Sequence, residues 1–385
     1  MKLSQAIIFF GIVFTIYGLI NFYIFRRAVT VIPENFKSSF LIVFVFAVIA
    51  YPAGRFLENY WVWYVSDFFV WIGAFWIAIM IHVFLLLIIV DLFRLVNYFM
   101  PFFPSVMNQN LEMTRKITAL IISSIVLMAV VGGFINTKLI AIKKYNLTIN
   151  KKAGSLKSLN IVLVSDLHLG TINGKMFAYK IVDKINKLHP DIVLFAGDII
   201  DEDIKPVLRD NVGDALYELK AKYGIYGITG NHEYIGGVND AVNYVTAHNI
   251  KMVRDSAIKI DDSFYLVGRE DRDSRRFADY KRKDLKTLLV GVDKSLPIIL
   301  MDHQPFRLEE AEQNGIDLQL SGHTHNGQIW PFNYLIDKIY ELSWGYKVKG
   351  NTHYYVSCGV GGWGPPIRTG SRPEIINIRL NFSSE

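Results

Sequence analysis

Residues able to carry chemistry collect at five places, and each follows a short apolar run. Ile161–Ser165 leads into Asp166-Leu167-His168, Ile192–Ala196 into Gly197-Asp198, and Ile225–Thr229 into Gly230-Asn231-His232-Glu233. Ile298–Met301 leads into Asp302-His303, and Leu318–Ser321 into Gly322-His323-Thr324-His325. A lone Asp-x-His or Gly-Asn-His is ordinary in any chain. Five consecutive runs ending in metal-ligand residue types are not, so the polar turns are read together as one metal centre. The donors are carboxylate, imidazole and amide oxygen without thiolate, a set that suits Mn, Fe, Zn or Co. The single cysteine, Cys358, excludes a multi-cysteine metal site and an internal disulfide.

The elements that must position these donors are strands and helices in alternation. The five runs read as buried strands, and helical patterns lie between them over Lys175–Leu188, Val207–Lys220 and Val238–His248. Such alternation predicts an α/β layered fold, and open α/β sheets place their sites at the carboxyl ends of strands. Asp261–Gly268 adds a strand without an intervening helix, so a mixed sheet or two packed sheets is expected.

The first third has a different composition. Of 76 charged side chains, only 13 fall within the first 135 residues, while the remainder approaches the soluble average of about 25%. Four uncharged stretches there have about the length that a bilayer requires: Leu3–Phe25, Ser38–Gly54, Phe68–Val90 and Ile117–Thr137. Leu95–Leu111 is uncharged too, but Pro101 and Pro104 mark it as an interfacial loop or re-entrant segment. Tyr60, Trp61, Trp63 and Tyr64 precede the third stretch, where amphipathic rings favour the headgroup layer. His82, inside that stretch, is read as hydrogen-bonded to a neighbouring helix. The expected organisation is a multi-pass transmembrane region of about four helices over 1–137, a linker and first strand over 138–150, and a catalytic domain over 151–385. The net charge of +6 divides evenly between the membrane third and the rest, so a pI of 9.0 carries no nucleic-acid signature and no nucleic-acid partner is expected.

The order Asp-x-His, Gly-Asp, Gly-Asn-His-Glu, His-x-Pro, Gly-His-x-His resembles the calcineurin-like metallophosphoesterase superfamily, over about Leu147–Leu380. The likeness is to its membrane-anchored bacterial branch, through Gly322-His323-Thr324-His325-Asn326-Gly327-Gln328 and through Gly359–Gly364, Arg368 and Pro373-Glu374-Ile375. Asn326 stands where Gly is usual, and Glu233 where many members carry Asp. The resemblance implies N-terminal transmembrane α-helices followed by an α/β domain, a layered β-sheet sandwich flanked by helices. It also implies two divalent cations. Asp166, His168 and His325 would hold one, Asn231, His303 and His323 the other, and Asp198 would bridge them. A metal-bridging hydroxide is then the expected nucleophile on phosphorus. His232, adjacent to a ligand but not itself one, is the expected general acid, and Arg368 is expected to bind the substrate phosphate.

Other segments divide into solvated loops and candidate walls. Asp261–Lys286 is dense in charge, close to alternating over Arg269, Glu270, Asp271, Arg272, Asp273, Arg275 and Arg276, and reads as a solvated loop in preference to a phosphate clamp. Gly359–Gly364 matches G-x-G-x-x-G after the strand-like Tyr354–Ser357. Pro365-Pro366 blocks the helix that a dinucleotide fingerprint needs, so a flexible loop closing over the site is expected. Tyr334–Lys349, apolar and aromatic with Lys338, Lys347 and Lys349, is a lid or a membrane-contacting edge. The expected function is a membrane-bound binuclear phosphoesterase acting on a phosphate ester or pyrophosphate. Its substrate is expected to be a phosphorylated lipid or lipid-linked molecule, because about eight residues join the last span to the strand at Tyr145 and hold the crevice near the headgroups. A tethered enzyme with a soluble substrate is one alternative, and a transport or signalling protein with a regulatory phosphoesterase domain is the other. Lys2 and Arg26-Arg27 around the first span favour a protein of the cytoplasmic membrane with its catalytic domain on the external face.

Overall fold

Uncharged stretches of bilayer length satisfy their backbone polar groups internally by forming helices, and the N-terminal part of the chain does so. The computed structural model describes residues 3–60 and 63–383, so Trp61 of the aromatic cluster lies outside the described residues. The helices are α1 (Leu3–Ala28), α2 (Lys37–Tyr60), α3 (Tyr64–Phe99), α4 (Ser105–Gln109) and α5 (Leu111–Thr137). Among the described residues three helical stretches are long and apolar enough to cross a membrane, Glu34–Tyr60, Tyr64–Phe99 and Leu111–Thr137. The stretch expected as a first span, Leu3–Phe25, is the helix α1. Pro52 sits inside α2, which therefore runs past the expected end at Gly54. Leu95–Phe99, expected in an interfacial loop, is instead the end of α3, and the helix breaks only at the prolines 101 and 104.

Close approach and hydrogen bonds hold this unit together. A Cβ added at Gly73 of α3 would stand 2.1 Å from the Tyr51 nitrogen of α2, so only glycine permits that approach. Trp76 Nε1 donates to Asn21 Oδ1 at 3.0 Å, and Tyr17 OH to the Val48 carbonyl at 2.8 Å. His82 Nδ1 donates to the Ala78 carbonyl at 2.8 Å, one turn back in its own helix. Its polar group is satisfied within its own helix, where a neighbouring helix was expected to supply the partner.

The second compact unit, Asn136–Trp363 with Arg368–Glu385, contains all the strands among the described residues. They are β1 (Ala141–Ile149), β2 (Ser158–Val164), β3 (Ile192–Phe195), β4 (Ile225–Gly227), β5 (Lys251–Met252), β6 (Ser256–Ile260), β7 (Phe264–Gly268), β8 (Ile298–Met301), β9 (Leu318–Ser321), β10 (Gly345–Lys349), β11 (Thr352–Val356) and β12 (Glu374–Phe382). They form two six-stranded mixed sheets, ordered β1-β12-β2-β3-β4-β5 and β10-β11-β9-β8-β7-β6. Period-two alternation sorts each run between two cores. Leu159, Ile161, Leu163, Ile192 and Leu194 pack with Leu266, Ile299, Met301 and Leu320 between the sheets. Val162, Val164, Val193 and Phe195 face outward against α6 (Lys175–Asn186), through Ile181 and Ile185. Ile298 and Leu300 face outward on the second sheet, against Leu285, Leu288 and Leu308. The strands are apolar on both faces because both faces are covered.

Three expectations need correction. Val207–Lys220 is not one helix: α7 (Lys205–Arg209) ends, Asn211 turns left-handed at φ 49°, and a 3-10 turn follows over Val212–Glu218. The strand expected over Asp261–Gly268 begins at Phe264, because Asp261 and Asp262 form a left-handed turn out of β6. The start of the Gly-rich segment is not a free flap either. A Cβ at Gly359 would stand 2.7 Å from Asp166 Cβ, and one at Gly361 would stand 2.1 Å from the Leu167 carbonyl oxygen. Both glycines are buried against the first ligand turn.

Candidate metal centre

β2, β3 and β4 run parallel in one sheet and β8 and β9 run parallel in the other, so the five polar turns emerge at strand carboxyl ends. Each turn must reverse its ligand side chain towards the centre within one or two residues. Asp166, His168, Asp198, His323 and His325 do so with φ between 47° and 74°. Non-glycine residues avoid this region, at about 1–2 kcal/mol each, and such conformations cluster at functional sites. The turns also press on one another. A Cβ at Gly230 would lie 2.2 Å from Asp198 Oδ1, so only glycine lets the third turn cross the second.

Three overlapping groups of donors result. Asp166, His168 and His325 each bring a ligand atom within 4.8 Å of the others, and so do Asp198, His303 and His323; a third set, His168, Asp198 and His232, overlaps both. Asn231 belongs to the second group, its Oδ1 lying 2.8 Å from His323 Nδ1 and 3.3 Å from His303 Nε2. Asp198 faces both groups, with Oδ2 at 3.1 Å from His303 Nε2 and 3.8 Å from His168 Nε2. All seven expected metal residues therefore meet. The donor chemistry fits divalent cations. His303 Nδ1 meets the Ala196 carbonyl at 2.7 Å and must donate to it, leaving the Nε2 lone pair aimed at carboxylate and amide oxygens. In the other group, Nε2 of His168 and Nε2 of His325 face each other at 3.1 Å.

The electrostatics carry the same signature. Burial alone would raise Asp198, but His303, His232 and His168 hold it well below the ordinary carboxylate range. Burial alone would lower His303, but Asp198 and Asp166 pull it well above ordinary imidazole. A proton is drawn to where a cation's charge belongs. Burial, then the charge of His303, pushes His323 down to about 3. Burial, then His168 and Arg368, keeps His325 neutral. Burial raises Asp166 against the pull of His303.

His232 is the second residue of α8 (Asn231–Gly236), its ring 4.4 Å from that of His168 and 6.3 Å from that of Trp363. Its Nδ1 meets Asp201 Oδ1 at 3.1 Å. Burial would lower this ring, but Asp198 and then Asp201 raise it to about 10. Asp201 escaped the sequence reading; its signal was the Gly-Asp-x-x-Asp spacing over 197–201. Glu233 is a clamp rather than a ligand. Its carboxylate accepts the backbone N–H groups of Gly230, Ile200 and Asp198 at 2.7, 2.9 and 3.1 Å, fixing two ligand turns together.

Arg368 was expected to face the substrate phosphate. It lies instead fully buried behind His325, with Nη2 3.2 Å from His325 Nδ1 and on the Gly361 carbonyl, and Nη1 donating to Cys358 O and Ser371 Oγ at 2.8 and 3.0 Å. The charged segment is also not solvated throughout. Arg269, Glu270 and Asp271 are buried, because Asp302, Arg254 and Gln304 wait for them beneath the loop. The Tyr334–Lys349 region forms the helix Phe332–Ile339, which buries no side chain and exposes Tyr334, Leu335 and Ile339, followed by β10.

The family model for calcineurin-like phosphoesterases matches residues 159–327, a range that holds all seven metal candidates and His232. An uncharacterized metallophosphoesterase of Campylobacter jejuni is 30% identical over 97% of this chain and 98% of its own length. An uncharacterized metallophosphoesterase of Helicobacter pylori is 35% identical over 58% of this chain, and the match spans 60% of that relative. The UDP-2,3-diacylglucosamine pyrophosphatase LpxG of Chlamydia trachomatis is 25% identical over 68% of this chain and 95% of its own length. With the family model matching its central part and a relative alike from end to end, the chain belongs to the calcineurin-like phosphoesterases, a family of phosphoric ester hydrolases.

Proposed function

We propose that the chain is a membrane-bound binuclear metallophosphoesterase that cleaves a phosphate ester or pyrophosphate bond of a lipid or lipid-linked substrate. The observation that carries the reading is the convergence of seven metal-type donors beside a His–carboxylate pair. Asp166, His168 and His325 would hold one divalent cation and Asn231, His303 and His323 another, with Asp198 within reach of both sets, and such ions would supply Lewis acidity and lower the pKa of water towards neutral. The protein's own residues do the rest. Asp201 accepts from His232 Nδ1 and keeps the ring protonated, leaving Nε2 to donate a proton to the departing oxygen. Glu233 keeps the ligand turns in register. Arg368 enters through His325, whose neutral ring it holds from behind.

Three features support a substrate at the bilayer. The chain has helices long and apolar enough to cross a membrane. Only three residues separate α5 from β1. A relative carries the name of a pyrophosphatase of a diacylated sugar nucleotide. We place the protein in the cytoplasmic membrane with its domain outward, and protease shaving of intact cells that spared the domain would reverse that orientation. The test of function uses the full chain in detergent, with metal analysis and hydrolysis of paired short-chain and long-chain lipid diphosphates. Two ions per chain and a preference for long chains are expected. One ion per chain refutes the binuclear site, and indifference to chain length refutes the lipid substrate.

A further inference from the structure

Three side chains form a wall that leads away from the metal centre. Tyr340 stands edge-on to His323 with ring centroids 6.2 Å apart, Phe306 packs on Tyr340 at 4.6 Å, and the Arg272 guanidinium lies over Phe306 at 4.7 Å. The segment that presents Arg272 is firmly fastened. Arg269 pairs with Asp302 at 3.1 Å and Glu310 at 2.9 Å, Thr229 Oγ1 donates to Glu270 at 2.7 Å, and Gln304 Nε2 donates to Asp271 at 2.9 Å. Each of those three charged residues is buried with partners. Arg272, the next residue, is exposed and has neither an ion pair nor a hydrogen bond among the described residues. A planar cation held flat on an aromatic ring keeps its N–H edge free for a carboxylate or phosphate.

The position of the wall says which part of a substrate it meets. His232 and Trp363 border the His168 side of the centre, whereas Tyr340 borders the His323 side. If His232 serves the leaving oxygen, the opposite wall meets the group that stays on phosphorus. A monoester has no such group. We infer that Arg272, on its Phe306–Tyr340 platform, binds a second anionic group, a phosphate or carboxylate, on the retained half of a diester or diphosphate substrate. The inference rests on the hydrolase reading above and narrows it to disubstituted phosphorus.

The test holds the leaving group constant. The full chain, loaded with Mn in detergent, is assayed with p-nitrophenyl ethyl phosphate and with p-nitrophenyl 2-phosphoethyl phosphate. Arg272→Ala raises KM for the phosphate-bearing diester about ten- to hundredfold more than for the ethyl diester, the size of one charge-assisted hydrogen bond. Arg272→Lys recovers part of the difference, and Phe306→Leu loses part of it. Arg275→Ala, an exposed neighbour, leaves the ratio of the two KM values at its wild-type level. Equal effects of Arg272→Ala within this soluble pair and also within the same pair carrying a diacylglycerol arm, or the same shift from Arg275→Ala, overturn the subsite. Titration with ethane-1,2-bisphosphonate and ethylphosphonate reads the same discrimination without turnover. A protein that hydrolyses nothing but prefers the bisphosphonate through Arg272 loses the hydrolase reading and keeps the subsite. Repeating the pair with a diacylglycerol arm in mixed micelles identifies the source: dependence on Arg272 there alone assigns the anion to a lipid headgroup, and dependence in the soluble pair assigns it to a free phosphate ester.

Discussion

Replacing Asp201 by Asn isolates the carboxylate that sustains the proposed general acid. The substitution keeps an oxygen for the His232 Nδ1–H, 3.1 Å away, and removes only the charge. Bound cations offset the charge of Asp198, so Asp201 becomes the main group holding a proton on His232. The Asp201 side chain is 20% exposed, too little for solvent to screen the pair fully. A hydrogen bond to a charged partner contributes about 1 to 1.5 kcal/mol more than a neutral one, or roughly one pK unit. An imidazole raised above its ordinary value stays protonated through neutral pH and loses its proton as pH climbs through the folded value. Lowering that value by about one unit moves the alkaline limb of kcat down by about one unit. On that alkaline limb, above the folded value, turnover of an alkyl phosphate at a given pH falls roughly tenfold, less than the 10²–10⁴-fold expected for His232→Ala, and well below it turnover hardly changes. The assay is the pH dependence of kcat for an alkyl and a nitrophenyl substrate, with metal content measured alongside because Asp201 also lies 3.5 Å from His168 Nδ1. The nitrophenyl substrate, whose leaving group needs no proton, is nearly insensitive. An unmoved limb, or equal losses on both substrates with two ions retained, refutes the pairing of Asp201 with a general acid.

Asp198→Asn lowers occupancy of both metals together, whereas Asn231→Ala empties mainly one, as metal analysis after dialysis reads. Gly230→Ala forces a Cβ into Asp198 Oδ1 and lowers metal affinity about 10–100-fold, the range for disturbed ligand support; unchanged affinity would show that the turns do not depend on each other. Glu233→Gln removes the carboxylate that serves three backbone N–H groups and destabilises the domain by about 1–3 kcal/mol, measured as a lower midpoint of thermal unfolding. Leu335→Ser with Ile339→Ser, on the exposed helix Phe332–Ile339, raises KM for long-chain substrates only; parallel changes on short-chain substrates assign that helix to the fold.

The fold was legible where the signal was local. Ile298–Met301 and Leu318–Ser321 are strands at the expected residues, because four apolar residues between polar turns fit a covered sheet and little else. Failures came where distant chain decided the outcome. Arg269, Glu270 and Asp271 look like a solvated run in sequence, yet their partners Asp302, Arg254 and Gln304 lie on other segments. Val207–Lys220 has helical spacing, but Asn211 tolerates the left-handed conformation and the chain turns there. Pro101 stops α3 and nothing before it does, so a span read from charge alone ends too early.

At the site, residue types were legible and residue roles were less so. The candidate metal donors are legible in their turns, as Asp, His and Asn at five successive strand ends. Whether an Arg meets substrate or braces a ligand depends on which way a returning loop points it. Arg368 sits in a Gly-rich segment, which suggested an open loop, but Gly359 and Gly361 are small because they pack on the Asp166 turn. That packing carries Arg368 behind His325 and away from solvent. The same reasoning explains the left-handed ligand turns. Donors that leave neighbouring strands nearly parallel must bend sharply inward to share a cation, and the three-layer core holds the backbone rigid enough to maintain that bend. Glycine would relieve the strain but supplies no donor. The candidate ligand positions with φ near 50°, at 166, 168, 198 and 325, are occupied by Asp and His, and glycine packs against these turns, at 230 and 359, where a second turn must pass close by.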